Sequence, residues 1–241
     1  MKKKILGIVL AFCLMIPCMF MVAGCGDTAI YAGTDLTLAE ALTQVETGGT
    51  IKLDADIVLD AELRIAKKVT IDLNGYTISN TVDIWNDAAG ENETDSWSLI
   101  SVRANGDLTI KNGTLAAKEN DCYALDVRYG GKLTIESGEY VGNVSAVYVV
   151  EGELNILGGK FNIQQLDNRT NDSRYTINCN DANHTAQTAI VKISGGQFAN
   201  YNPAGSTSEY PTINFLEEGY VATADAQADE NGDIWYTVTA E

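Results

Sequence analysis

The sequence predicts an all-β protein, a single-stranded right-handed parallel β-helix with an N-terminal amphipathic capping helix and a C-terminal β-hairpin cap. Two observations predict this fold class. One is a glycine-punctuated repeat, and the other is a set of opposite charges that become neighbours when the repeats are stacked. The predicted β-helix domain covers residues 35–241 of the 241-residue chain.

Three stretches align almost residue for residue, and a fourth is a degenerate copy. The glycines before each Leu-x-Ile strand, Gly106, Gly131 and Gly152, are spaced by 25 and 21 residues. The copies span residues 99–115, 124–140, 146–161 and 189–198. Because one unit of this size cannot bury its apolar face alone, the copies are expected to stack into a continuous core.

The stacking makes a separate prediction about charge. Lys132 would lie between Asp107 and Glu153, and Lys111 would lie beside Glu136. Such cross-strand pairs each contribute roughly a few tenths of a kcal/mol. A β-sandwich is the rival architecture, since it also has many short strands, but it does not predict repeats of similar length with the same glycines.

The flanking segments predict the two ends of the domain. Residues 37–46 place Leu38, Ala41, Leu42 and Val45 on one face of an amphipathic helix. Short alternating strands are expected at residues 50–53, 57–59, 63–65 and 69–78. The Asn231-Gly232 pair predicts the turn of a closing hairpin.

The first residues have the three parts of an export signal. Lys2 to Lys4 are followed by the apolar run from Ile5 to Val22, and then by the small residues before Cys25. This segment resembles a bacterial lipobox, which implies that residues 1–24 are a lipoprotein signal peptide and that the Cys25 thiol carries lipid. Residues 25–34 would be the lipidated N-terminus and a short linker. The alternative is an uncleaved membrane-spanning helix.

The resemblance implies an extracytoplasmic protein that is lipid-anchored to the bacterial cell membrane. Without residues 1–24 the chain keeps 13 Lys and Arg against 33 Asp and Glu, a formal charge of −20. A chain of this charge is repelled by nucleic acid, so nucleic acid is excluded as a partner. Cys122 and Cys179 could form a disulfide, but two buried free thiols are the favoured interpretation.

Segments near the N-terminus carry a second resemblance. Residues 36–42, 49–56 and 71–78, together with the Leu-x-Ile-x-x-Gly units, resemble right-handed parallel β-helix domains of the pectate-lyase-like fold. The resemblance covers residues 35–200, and such domains are common in surface lipoproteins of Gram-positive bacteria. It implies a cell-surface module.

Two insertions, at residues 81–96 and 164–188, interrupt the repeat and are where a site is expected. Trp85 and Trp97 lie close to Asp83 and Asp87, and an aromatic face beside carboxylates is typical of sugar binding. The alternative is that the tryptophans fold the insertion back onto the strands. The acidic residues could bind Ca²⁺, but their spacing matches no calcium motif, so neither a metal nor another cofactor is predicted.

A stacked pair of arginines is the second candidate site. Arg103 and Arg128 occupy equivalent positions in adjacent copies, and like charges there require an anion or an acid between them. With Asp126 and Tyr148 they could form a patch for an anionic sugar. The alternative is that Asp126 alone neutralises them. His184, the single histidine of the chain, is expected to be a solvated loop residue.

Three functions remain open on the sequence. The favoured hypothesis is a membrane-anchored, non-catalytic binding or adhesion module, with carbohydrate as the favoured ligand. A structural or protein-partner surface protein is the alternative, and a lyase acting on acidic polysaccharide, using Arg103 and Arg128, is a further one. No Ser-His-Asp set, histidine cluster or phosphate-binding glycine loop can be assembled, which argues against an enzyme. The expected partners are therefore the membrane, through Cys25, and a polysaccharide or surface protein.

Overall fold

The computed structural model describes residues 29–87, 94–165, 175–205 and 213–241. Within these residues the chain is mostly β, and its strands form three sheets that are built almost entirely from parallel pairs. This confirms the expectation of an all-β chain with parallel pairing. Cys25 lies outside the described residues. No helix in the described ranges is both long and apolar enough to cross a membrane.

The elements are short and closely spaced. The described residues contain two α-helices, α1 (Leu38–Gln44) and α2 (Asp181–Thr185), and a short 3₁₀ helix at Pro203–Gly205. The strands are β1 (Ile30–Ala32), β2 (Thr50–Leu53), β3 (Ile57–Leu59), β4 (Leu63–Ile65), β5 (Lys68–Asp72), β6 (Thr77–Asn80), β7 (Ser98–Val102), β8 (Asp107–Lys111), β9 (Thr114–Ala116), β10 (Tyr123–Val127), β11 (Gly131–Ile135), β12 (Glu139–Gly142), β13 (Val147–Val149), β14 (Gly152–Ile156), β15 (Lys160–Ile163), β16 (Ile177–Cys179), β17 (Ala189–Ile193), β18 (Gln197–Ala199), β19 (Tyr220–Ala224) and β20 (Trp235–Ala240).

The strands enter the three sheets in cyclic order. Sheet A has the order β1-β2-β5-β8-β11-β14-β17, sheet B the order β19-β20-β18-β15-β12-β9-β6-β3, and sheet C the order β16-β13-β10-β7-β4. From β2 to β15, each strand therefore pairs with the strand three places further along the chain. A β-sandwich requires antiparallel sheets, whereas among the named strands of the described residues only the pairs that involve β20 are antiparallel.

The repeat register predicted from the sequence is confirmed. Lys132 is paired with Asp107 on one side and with Glu153 on the other. The Lys111 ammonium lies 3.1 Å from the Glu136 carboxylate. The degenerate fourth copy also stacks as expected, because β17 pairs with β14 along its full length. In β8 and β11, apolar and polar side chains alternate along the strand, so the inward side chains are buried and the outward ones are polar.

The core runs continuously between the sheets. In sheet B, Tyr140, Phe161 and Phe198 occupy equivalent positions on adjacent strands. Their rings stack with centroid separations of 5.2 and 5.0 Å. Cys122 and Cys179 are buried free thiols, as the favoured interpretation predicted. Burial raises the pKa of the Cys179 thiol to about 12, which keeps it protonated.

Elements outside the repeat flank the sheets at both ends of the described chain. At the N-terminus, α1 buries Leu38 and Ala41, and Thr37 forms a reciprocal capping box with Glu40. At the C-terminus, β19 and β20 form an antiparallel pair that adds to β18. Residues 225–234 connect these strands, so the hairpin is present but its loop is longer than a two-residue Asn-Gly turn.

The second predicted insertion is shorter than expected. Residues 164–188 contain β16, which pairs with β13 and is the last strand of sheet C. They also contain α2, where His184 packs edge-on against the Phe215 ring with centroids 5.8 Å apart. The expectation of a solvated loop histidine was therefore wrong, because α2 packs the ring onto the stack.

Candidate functional site

The first insertion covers the outer face of sheet C. Its base is closed by two hydrogen bonds between the backbones of Asn86 and Ser96. Trp97, which follows, is only 6% exposed, and Asp95 is fully buried. Residues 88–93, which include Glu91 and Glu93, two further acidic residues of this insertion, lie outside the described residues. The described parts of the insertion therefore pack against the strands.

A buried cluster of charges lies beneath the insertion. The Glu62 carboxylate accepts a 2.7 Å bond from Arg103 and a 3.2 Å bond from Arg128, through Nη2 of each guanidinium. It also forms an ion pair with Arg64. Both arginines donate further to the backbone carbonyl of Asp95, at 2.8 and 3.0 Å. Glu62 is thus the acid that lies between the two stacked arginines.

Asp126 completes this cluster. It accepts hydrogen bonds from the hydroxyls of Ser98 and Ser101, at 2.7 and 2.6 Å, and from Nε of Arg128 at 3.1 Å. Complete burial raises the pKa of the Asp126 carboxyl, and the nearby Arg128 charge opposes that shift. Burial likewise lowers the pKa of Arg103, and Glu62 opposes it. Neutralisation by Asp126 alone was therefore wrong, because two acids share the two arginines.

An aromatic cluster links the insertion to the strands. The Trp97 ring stacks between Trp85 and Tyr148, with centroid distances of 6.1 and 6.2 Å. Tyr123 meets both Trp85 and Tyr148 edge-on. The Arg128 guanidinium lies 4.3 Å from the Trp97 ring centroid, a cation–π contact. Trp97 is therefore a packing residue, whereas Trp85, on the outside of the cluster, is 40% exposed.

A cavity of about 380 Å³ opens beside Trp85. It is lined by Asp83, Trp85, Asn120, Asp121, Asn143 and Val144, and we call it the Trp85 cavity. Asp121 fixes its wall, because its carboxylate accepts hydrogen bonds from the backbone N–H groups of Ile84 and Trp85. These hydrogen bonds fix the backbone that carries the Trp85 indole. A backbone fixed before binding reduces the entropy lost when a ligand binds.

Two acidic residues that the sequence singled out lie near this cavity. Asp83 is exposed and forms a 2.6 Å ion pair with Lys118. The hydrogen bond to Asp83 raises the pKa of the Lys118 ammonium. Asp87 is exposed, and its charge adds to the rise in the pKa of the Tyr123 hydroxyl that burial mainly causes. The cavity wall is therefore polar on one side and aromatic on the other.

Comparison with protein-family models, with curated proteins and with solved structures finds no match.

The predicted site residues thus fall into two groups. Trp85 and Asp83 meet at the Trp85 cavity, where Asp87 lies nearby. The others form the covered cluster on sheet C: Trp97, Arg103, Asp126, Arg128 and Tyr148.

Sequence reasoning missed several residues of these sites, among them Asp121. Asn120 and Asn143 lie in the turns before β10 and β13, where the repeat alignment has gaps. Glu62 lies just before β4, a strand that was predicted but not aligned with the repeats. Pairing β4 with β7 places Glu62 beside Leu99, four residues before Arg103, so the register alone does not bring this acid to the arginines.

The described part of the chain contains no group of three or more His, Cys, Asp or Glu residues arranged to hold a metal ion.

Proposed function

We propose that this chain is a non-catalytic carbohydrate-binding module of the bacterial cell surface, and that the Trp85 cavity is its binding site. The observation that carries the proposal is the exposed indole of Trp85 beside side-chain amides and a carboxylate. The apolar ring face packs against sugar C–H groups, while Asn120, Asn143 and Asp83 exchange hydrogen bonds with sugar hydroxyls.

The lyase hypothesis has less support than carbohydrate binding. A lyase of this kind needs cationic groups that reach the substrate carboxylate. Arg128 is 2% exposed and Arg103 is 8% exposed, and both are bonded to Glu62 beneath the insertion. The two arginines are therefore better explained as supports for the face that carries the aromatic cluster.

The proposed scaffold is a closed right-handed parallel β-helix, related in fold to the pectate-lyase-like domains of Gram-positive surface lipoproteins. Its support is the cyclic entry of strands β2 to β18 into three sheets. Crossovers between parallel strands of one sheet are right-handed in about 98% of proteins. A crystal structure with strands wound in the opposite sense, or with sheets that do not enclose one core, would refute this.

The proposed location is outside the cytoplasm, with the chain anchored to the membrane through lipid on Cys25. The support is the lipobox-like sequence before Cys25 and the short interval between it and β1. Metabolic labelling with a fatty acid should mark the wild-type chain and not Cys25→Ala. Release of unlabelled wild-type protein into the medium would argue against an anchor.

The sugar site is tested on the chain truncated to residues 26–241, which retains every described element. Binding to a glycan array is measured with and without calcium, for this chain and for Trp85→Ala. We expect Trp85→Ala to weaken binding about tenfold or more, since one well-packed aromatic contact contributes roughly 1.5 kcal/mol.

The matched control is Trp235→Ala, which removes a tryptophan from the hairpin at the far end of sheet B. It should leave glycan binding unchanged. Trp97→Ala is unsuitable because it would disrupt the buried cluster. If the wild-type chain binds no glycan, the carbohydrate proposal fails and a structural or protein-partner role takes its place.

A further inference from the structure

A second, smaller cavity of about 100 Å³ lies where β10 and β13 end. It is lined by Trp97, Arg128, Tyr129, Val150, Glu151 and Asn183, and we call it the Arg128 cavity. The Trp85 cavity lies at the opposite ends of the same strands, because Asp121 and Asn143 precede them. The two cavities share no lining residue, so a ligand can occupy either one independently.

Two buried N–H donors belong to residues in the wall of the Arg128 cavity. Across the described ranges, neither Nη1 of Arg128 nor Nε1 of Trp97 has a hydrogen-bond acceptor. The other nitrogens of Arg128 are engaged: Nε donates to Asp126, and Nη2 donates to Glu62 and to the carbonyl of Asp95. A buried donor without an acceptor is costly, so both donors favour a group that supplies one.

The equivalent arginine one strand earlier offers a comparison. Arg103 also donates to Glu62 and to the Asp95 carbonyl, and its Nε donates to the Ser101 hydroxyl. Arg103 does not line the Arg128 cavity. The combination of an unpaired donor and an adjacent cavity is therefore specific to Arg128 within this stacked pair.

The surrounding charges restrict the chemical class of the ligand. Guanidinium and indole N–H groups only donate, so the ligand must present acceptor atoms. Glu62 and Asp126 lie among three arginines, Arg64, Arg103 and Arg128, and Glu151 adds a third carboxylate at the cavity wall. Because the three acids already match the three arginines, an anionic ligand would add an unmatched negative charge, whereas a carbonyl or hydroxyl oxygen adds none.

We propose that the Arg128 cavity is a second binding site, which takes a carbonyl- or hydroxyl-bearing substituent of an uncharged ligand, such as the acetamido group of an N-acetylated sugar. The cavity has the volume of about three water molecules, which suits a substituent and not a whole sugar ring. This site does not depend on the Trp85 cavity being a sugar site.

The experiment uses the indole N–H signals of the ¹⁵N-labelled chain of residues 26–241. This chain contains three tryptophans, Trp85, Trp97 and Trp235, so each site reports separately. The probes are N-acetylglucosamine and glucuronate. We expect the Trp97 signal to shift in a saturable way with N-acetylglucosamine, and to respond at least tenfold more weakly to glucuronate.

Two cavity-filling variants are matched controls for each other. Val150→Phe should fill the Arg128 cavity and abolish the Trp97 response, while leaving any response of Trp85 intact. Val144→Phe should fill the Trp85 cavity and leave the Trp97 response intact. Val150→Leu, a smaller change, replaces Val150→Phe if the larger ring prevents folding.

The proposal is overturned if N-acetylglucosamine leaves the Trp97 signal unchanged, which would mean that the cavity holds only water. It is also overturned if glucuronate binds more tightly, or if the Trp97 shift survives in the folded Val150 variant. A Trp85 response that persists in these cases would leave the proposed function standing. Loss of the Trp85 response alone would remove the proposed function and keep this second site.

Discussion

At the scale of single residues, Glu62 forms ion pairs with three arginines. Its side chain is 1% exposed and lies against Arg64, Arg103 and Arg128. A buried pair gives little net stability when it is intact, because desolvation offsets the attraction. Removing one partner is costly, because the remaining charges stay buried without compensation.

We therefore expect Glu62→Gln to lower the free energy of unfolding by about 3–5 kcal/mol. The matched control is Glu136→Gln, which removes a partner of Lys111 on the exposed face of sheet A. That pair should contribute less than about 1 kcal/mol. Urea unfolding followed by circular dichroism measures both variants. If the two substitutions lower the free energy of unfolding equally, the Glu62 cluster is solvated.

At the scale of elements, the start of β14 depends on a glycine. Gly152 has φ +131°, and a Cβ built there would lie 2.2 Å from the carbonyl oxygen of Gly131 on the adjacent strand. The backbone of one strand therefore approaches the next too closely for any side chain. The repeated glycine in the sequence is explained by this contact as well as by the bend.

We expect Gly152→Ala to cost about 3 kcal/mol or more, because it combines a disfavoured backbone conformation with a clash against backbone. Gly130→Asn is the control: Gly130 also has positive φ, at +80°, but no described atom lies within 4 Å of its Cβ position. Asparagine tolerates that conformation, so its cost should stay below about 1 kcal/mol. Thermal unfolding of both variants measures the two costs. If Gly152→Ala is as stable as the wild-type chain, β14 can shift to accommodate the added methyl group.

At the scale of the whole molecule, the two ends of the stack differ. The helix α1 covers the first strands, while β19 and β20 cover the edge of β18 with antiparallel pairing. An uncovered parallel edge presents unpaired N–H and C=O groups to other chains. The C-terminal hairpin therefore serves as protection against edge-to-edge association.

Ending the chain after Glu218 removes both hairpin strands and keeps Phe215 in the core. We expect this truncated chain to self-associate, because the edge of β18 becomes available. Sedimentation velocity over a range of concentrations measures the association, and Trp235→Ala in the full hairpin is the control that should remain monodisperse. A monomeric truncated chain would show that β18 is protected by other means.

The sequence was sufficient for the regular part of this architecture. Inward Leu and Ile at every second position, with glycines at a fixed place in each copy, determined which strands pair and in which register. The register also predicted that Lys132 lies between Asp107 and Glu153, because the register determines which side chains are neighbours on adjacent strands. Such features depend on local periodicity, which a single sequence displays.

The site was less predictable because it is assembled from segments that have no periodicity. The Trp85 cavity joins an insertion to two turns, and the folding back of Trp97 depends on tertiary packing. Exposure could not be deduced either: Trp85 and Trp97 look alike in sequence, yet only one presents a face to solvent. Glu62, which pairs with Arg128 sixty-six positions later, shows the same dependence on long-range contacts.

The order in which the strands enter the sheets determines how far the site lies from the N-terminal end of the stacked strands. The Trp85 cavity and the Glu62 cluster are built from neighbouring strands of sheet C, their turns and the first insertion, while the remaining strands support them from below. Each further turn of chain raises a stack by one strand spacing, about 4.8 Å. If the chain is the closed β-helix proposed above, whole turns inserted between α1 and β4 would lift the site away from the N-terminal end in fixed steps without altering its walls.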